Sequence, residues 1–221
     1  MYKIPDVISQ DGLKVMQIQH QRFGDNTIKI INIASQEVLH QCNNNPGLNC
    51  HGSFIENDNI VIYLTFDNNW YIPPIVNIWD LIQNTKKEII TPHHPQASNL
   101  IYQYHQPSQS LVIAAPHEAV VTTYNLNNLE MMWQSKDSSA FSESDPNTIN
   151  ALDISVCGKM IAVLQNESMT IYHLITGKVL CKIPLLAEYS MCTFNAENSY
   201  IDVSHAQKSS IKVNYESILK N

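Results

Sequence analysis

The feature that most constrains this chain is an internal repeat with a period of about 40 to 50 residues. Residues 27–39 and 168–180 align without a gap, and each stretch reads as an alternating strand, a tight turn and the start of another strand. Shorter copies of the same sequence motif begin at Val76 and Thr122, and a weaker copy begins at Ile211. A large apolar or aromatic residue stands at the same place in every copy. These anchor residues are Ile31, Trp79, Tyr124, Tyr172 and Val213, which are 48, 45, 48 and 41 residues apart.

A second pattern precedes each anchor: a polar turn with an apolar alternating strand on either side. Gly and Asn at the later positions of these turns suit the positive φ that such turns require. The helix formers in 129–133 and 185–189 fall where a fourth strand or its exit loop is due, and no segment shows a helical stripe. Each repeat therefore predicts about four antiparallel strands. The polar turns are residues 9–12, 56–59, 106–109, 155–158 and 195–198.

Four of the five anchors are followed by Asp, Asn or His and then by Leu or Ile. The four phrases are Ile31-Asn32-Ile33, Trp79-Asp80-Leu81, Tyr124-Asn125-Leu126 and Tyr172-His173-Leu174. In their length and in this signature, the repeats resemble the WD-repeat family of β-propellers. The resemblance implies an all-β chain, folded as a single β-propeller domain of about five four-stranded blades over residues 1–221.

The repeat boundaries place the blades within the chain. They are expected at residues 5–45, 46–95, 96–145, 146–187 and 188–221, with 1–5 positioned to close the last blade. Two other arrangements stay open: an arc of blades completed by another chain, and a piece of a larger propeller. In all three, the large anchors fill the space between neighbouring sheets, where burial of such a side chain stabilises the fold by about 1.5 to 3 kcal/mol.

Composition narrows the class of partner and the compartment. The chain has 13 basic and 20 acidic residues and a net charge of -7, and its one arginine is Arg22, so we expect no nucleic-acid partner. No stretch reaches the roughly 18 apolar residues of a membrane span. Five cysteines at irregular spacings suit free thiols in a reducing compartment. The composition therefore predicts a cytoplasmic protein.

The longest connections are predicted to lie on one face. The turns between the first and second strands and between the third and fourth are short, whereas residues 41–49, 67–74, 91–98 and 136–148 all emerge at the opposite end of the sheets. We call these two ends the tight-turn face and the long-loop face. Spare loop length is commonly functional, so a partner is expected on the long-loop face. Trp70 and Tyr71, in an insertion bounded by prolines, are candidate interface anchors.

Histidines also recur on the long-loop face. His20, His117 and His205 follow second strands, and Asp67 and Asn166 stand at the matching places of the other repeats. His93 and His94 stand between two prolines. Polar residues suit such turns in any case, and the spacing of these groups does not match a zinc site. We therefore expect no metal and no cofactor. Partner contacts are assigned to His20, His93, His94 and His117, with Trp70 and Tyr71.

The resemblance implies a non-catalytic scaffold that binds a partner polypeptide on the long-loop face. The chain has no phosphate-binding glycine loop, Gly-x-Ser-x-Gly elbow or His-Glu-x-x-His motif, so no catalytic residue is assigned. Two alternatives stay open. One is a propeller hydrolase that acts on a sugar or another small molecule, and the other is a structural subunit of a larger assembly.

Overall fold

The computed structural model describes residues 6–19, 26–44, 51–65, 73–93, 100–135, 148–186, 189–195, 200–205 and 208–214. Within these ranges the chain forms nineteen β-strands and two short 3-10 helices, and no α-helix. The prediction of an all-β chain is therefore confirmed. The chain divides into two compact units, residues 1–98 and 99–221.

The first unit contains two antiparallel sheets of four strands, each with its strands in chain order. Sheet 1 consists of β1 (Val7–Ile8), β2 (Lys14–Gln19), β3 (Asn26–Asn32) and β4 (Val38–Asn44). Sheet 2 consists of β5 (His51–Ile55), β6 (Ile60–Thr65), β7 (Ile75–Asp80) and β8 (Thr85–Ile90).

The second unit contains three antiparallel sheets, again with the strands in chain order. Sheet 3 consists of β9 (Ile101–His105), β10 (Ser110–Ala115), β11 (Val120–Asn125) and β12 (Glu130–Gln134). Sheet 4 consists of β13 (Ile149–Ile154), β14 (Met160–Gln165), β15 (Ser168–His173) and β16 (Val179–Pro184). Sheet 5 has three strands among the described residues: β17 (Met191–Asn195), β18 (Tyr200–His205) and β19 (Lys208–Asn214). Five sheets of this kind are what the repeat predicts; closure into one propeller stays a prediction.

Four of the five predicted polar turns between first and second strands form; the fifth, 195–198, lies outside the described residues apart from Asn195. In sheets 1 to 4, the backbone N–H of the fourth turn residue donates to the carbonyl of the first. Gly12 and Gly158 supply a positive φ in sheets 1 and 4, whereas Gln109 takes the same conformation in sheet 3 without being glycine. The four hydrogen bonds run from Gly12 to Ser9, Asn59 to Glu56, Gln109 to Gln106 and Gly158 to Ser155.

In sheets 1 to 4, the polar residue after the anchor caps the turn between the third and fourth strands. The Asp80 carboxylate, for example, accepts hydrogen bonds from the backbone N–H groups of Ile82 and Gln83, each 2.9 Å long. A short polar side chain that reaches its own backbone two or three residues ahead stabilises such a turn. The same role falls to Asn32, Asn125 and His173 in sheets 1, 3 and 4. This capping explains physically why Asp, Asn or His follows the anchor in these sheets.

The aromatic anchors are buried in the core. Trp79, Tyr124 and Tyr172 are 1%, 3% and 7% exposed, which confirms that they fill the interior. Tyr172 of sheet 4 stacks on Trp133 of β12 at 5.5 Å, and the Trp133 indole N–H donates to the Leu174 carbonyl at 2.6 Å. Within this unit, the fourth strand of sheet 3 therefore packs against the third strand of sheet 4.

The first strands of neighbouring sheets lie against one another in the second unit, where β13 contacts both β9 and β17. Two hydrogen bonds join them. The Ile154 backbone N–H of β13 donates to the Gln103 side-chain oxygen of β9 at 3.2 Å, and the Phe194 N–H of β17 donates to the Asp153 carboxylate of β13 at 2.7 Å. These bonds fix the relative positions of the three strands whose ends form the site described next.

Candidate functional site

A cavity of about 460 Å³ opens at one end of the three sheets of the second unit. Its described lining comes from the starts of the first strands and from the ends of the second strands. In an antiparallel sheet these two places lie at the same end, so the cavity belongs to the long-loop face. Its described lining residues are Ile101, Pro116, Ile149, Asn150, Asn166, Tyr189, Ser190 and His205.

Each sheet contributes through equivalent positions. Sheet 3 supplies the first residue of β9 and Pro116 directly after β10, and sheet 4 supplies the start of β13 and Asn166 directly after β14. Sheet 5 supplies the two residues before β17 and His205 at the end of β18. The cavity is thus built by the repeat itself rather than by a single inserted loop.

Asn150 connects two of the three sheets at the cavity. Its side-chain Nδ2 donates to Asn166 Oδ1 of its own sheet at 3.0 Å and to the backbone carbonyl of Tyr189 at 3.0 Å. Next to it, the Ser190 backbone N–H donates to the Ser204 carbonyl at 3.0 Å and ties the start of β17 to β18. The polar wall of the cavity is therefore held in one geometry by hydrogen bonds.

The lining combines apolar and polar groups. Ile149 is 2% exposed and belongs to the core between sheets 3 and 4, and Ile101 packs against the same core. The polar side chains are two amides, two hydroxyls and an imidazole. Recessed sites with apolar walls and a few fixed hydrogen-bonding groups are typical of ligand binding.

Two ionisable groups lie between sheets 4 and 5: Cys192 is buried and Asp153 is half-buried. Burial raises the pKa of the Asp153 carboxyl above its ordinary value of 3.8, although the hydrogen bond from the Phe194 N–H acts in the opposite direction. Burial also raises the pKa of the Cys192 thiol to about 12, with a smaller contribution from the Asp153 charge. Cys192 is therefore a thiol at neutral pH and packs as a small apolar residue.

The structure describes two of the six predicted contact residues. His117 lies in the short 3-10 helix Pro116–Glu118 and is exposed, one residue from the cavity lining. His93, in the first unit, is 1% exposed. The other four, Trp70, Tyr71, His94 and His20, lie outside the described residues.

Sequence reasoning found part of the cavity lining. Asn166 and His205 were recognised as polar residues that follow second strands, but they were not assigned to a site. Asn150, Tyr189 and Ser190 were missed. In the sequence, these residues are marked only by their position at or just before a first strand. That position indicates a site only once it is known that the three sheets meet there.

The described residues contain no group of three or more His, Cys, Asp or Glu side chains placed to hold a metal ion. In the same part of the chain, no helix has the length and apolar character needed to cross a bilayer. A comparison with models of known protein families finds none that matches this chain, and no curated protein matches it.

Proposed function

We propose that this protein is a non-catalytic binding protein and that the long-loop face of its second unit holds a segment of a partner polypeptide. The observation that carries the proposal is the cavity, where the ends of three sheets present two hydrogen-bonded amides, together with two hydroxyl groups, beside apolar side chains. A polypeptide offers the matching combination of N–H donors, carbonyl acceptors and aliphatic side chains.

The fixed geometry favours binding for an energetic reason. The hydrogen bonds of Asn150 hold two sheets together before a ligand arrives, so the site loses little conformational entropy when it is occupied. A pre-organised site of this size accommodates one or two side chains of a partner together with the backbone that carries them.

The arrangement of the five sheets also belongs to this proposal. Within each unit, neighbouring sheets contact one another through their first strands, β1 with β5 and β13 with β9 and β17. This contact and the capped turns after the anchors support a WD-repeat-like propeller that acts as a scaffold in the cytoplasm. Trp70 and Tyr71 of the first unit stay candidate partner contacts.

Selection from a random peptide library tests the proposal. Ser190→Trp fills the mouth of the cavity and keeps the backbone hydrogen bond to Ser204. The matched control is Asn127→Trp, which places the same side chain at an exposed turn on the tight-turn face of the same unit.

We expect selected peptides to bind the wild-type protein and the Asn127→Trp variant with equal Kd, and to bind Ser190→Trp at least tenfold more weakly. Equal binding by all three proteins, or a library that yields no peptide, would contradict the proposal.

A further inference from the structure

The hydrogen bonds of Asn150 fix the orientation of two side-chain amides in the cavity. A backbone carbonyl can only accept a hydrogen bond, so the atom of Asn150 that faces the Tyr189 carbonyl must be the nitrogen. The same nitrogen also faces the Asn166 side chain, which must therefore present its oxygen. Neither amide can be turned over without placing two acceptors or two donors against each other.

This orientation leaves two complementary atoms for a ligand. Both hydrogens of Asn150 Nδ2 are used, so its Oδ1 remains as an acceptor, while the Nδ2 of Asn166 remains as a donor. Two side-chain atoms in the described part of the chain are both fully buried and unpaired, and they belong to Thr123 and Tyr124. Asn150 and Asn166, in contrast, are half-buried and line the cavity.

A ligand that satisfies both atoms must donate to one and accept from the other. An amide group does this with its N–H and its carbonyl. A carboxylate would accept from Asn166 but would bring a second negative oxygen toward the Asn150 acceptor, and an ammonium group would have the reverse mismatch with the Asn166 donor. A hydrocarbon would cover both groups without offering them a hydrogen bond, which costs free energy.

We infer that the cavity recognises the carboxamide of a glutamine side chain from the partner polypeptide. This inference rests on the proposed function. The apolar side chains of Ile101 and Pro116 suit the two methylene groups of the glutamine stem, and the paired asparagines bind its carboxamide. Glutamine is thereby separated from glutamate, lysine and methionine, which have stems of similar length.

The peptide backbone carries the same amide chemistry, so the experiment must separate the two sources. The probes are acetylated and amidated pentapeptides with glutamine, glutamate, lysine or methionine between alanines. Each is titrated into the ¹⁵N-labelled full chain, and the side-chain NH₂ signals of Asn150 and Asn166 are followed by NMR. We expect the glutamine peptide to bind at least tenfold more tightly than the other three and to shift the Asn166 signal. Equal affinities would show that the site binds the peptide backbone or does not recognise an amide at all. Either result would overturn the inference.

Asn166→Asp provides a second test. The carboxylate still accepts from Asn150 Nδ2, but it offers the ligand an acceptor where Asn166 offered a donor. We expect the glutamine peptide to bind this variant at least tenfold more weakly and the lysine peptide to bind it more tightly than it binds the wild type. Asn127→Asp, at the exposed turn on the opposite face, is the control for the added charge and should leave both affinities unchanged.

The two proposals fail in different ways. If library peptides depend on Ser190 but the glutamine preference and its reversal in Asn166→Asp are absent, the inference is wrong while the proposed function stands. If no peptide depends on Ser190, the proposed function is wrong.

Discussion

Gly177 makes room for the aromatic pair that joins sheets 3 and 4. It has a φ of +66°, and a Cβ built on it would lie 2.5 Å from Cδ2 of Trp133. Trp133 stacks on Tyr172 and donates its indole N–H to the Leu174 carbonyl. Gly177, in a turn of sheet 4, must therefore be small because Trp133, in the fourth strand of sheet 3, occupies the space that a side chain would need.

At this scale we expect Gly177→Ala to destabilise the second unit by about 2 to 3 kcal/mol. About 1 kcal/mol is the strain of a left-handed alanine, and the rest comes from displacement of the indole and loss of its hydrogen bond. Gly12→Ala is the matched control, because Gly12 has a φ of +71° and nothing within 4 Å of the added Cβ. Urea unfolding followed by tryptophan fluorescence measures both variants. Equal losses in the two variants would show that the Trp133 contact contributes nothing.

At the scale of elements, Asp153 links β13 to β17 through its hydrogen bond from the Phe194 N–H. Burial makes the charged form of its carboxyl group unfavourable in the folded state. Because burial raises its pKa in the folded state, the native protein holds a proton more tightly than the unfolded chain does. The contribution of Asp153 to the free energy of unfolding therefore falls as the pH rises from its ordinary pKa of 3.8 through the raised value. It stays low at neutral pH.

Asp153→Asn keeps an oxygen for the Phe194 N–H and removes this titration. We expect the free energy of unfolding of the wild type, minus that of the variant, to decrease from pH 4 to pH 7 in urea titrations. Asp11→Asn should give a difference that rises with pH, and does so below about pH 4, since hydrogen bonds from Ser9 and the Leu13 N–H lower the pKa of Asp11 from its ordinary value of 3.8. A difference for Asp153 that is flat, or that rises with pH, would contradict this account.

The elements that could be predicted from the sequence are those specified by local signals. Turn residues such as Gly12, alternating strands, and an anchor followed by a capping residue such as Asp80 all lie within one repeat. Trp133 was predicted only as part of a strand, because its partner Tyr172 lies in the next sheet. The Asn150 and Asn166 pair was missed for the same reason, since its orientation depends on a carbonyl of a third segment.

Over the whole molecule, copying one sheet-forming unit has a consequence for binding. Equivalent ends of sheets 3, 4 and 5 meet, and residues that are ordinary turn or strand-end positions in one sheet become the wall of a shared cavity. The site therefore needs no dedicated motif. Its chemistry is set by which polar residues occupy the same few positions in three repeats.

Hydrogen–deuterium exchange of the full chain, with and without a saturating selected peptide, tests the binding face most directly. The account predicts slower exchange in segments that contain residues 116–118, 149–150, 166–167 and 189–190, and unchanged exchange in the turns at 126–129, 155–158 and 174–177 of the opposite face. Protection of those turns, with none around the cavity, would contradict it.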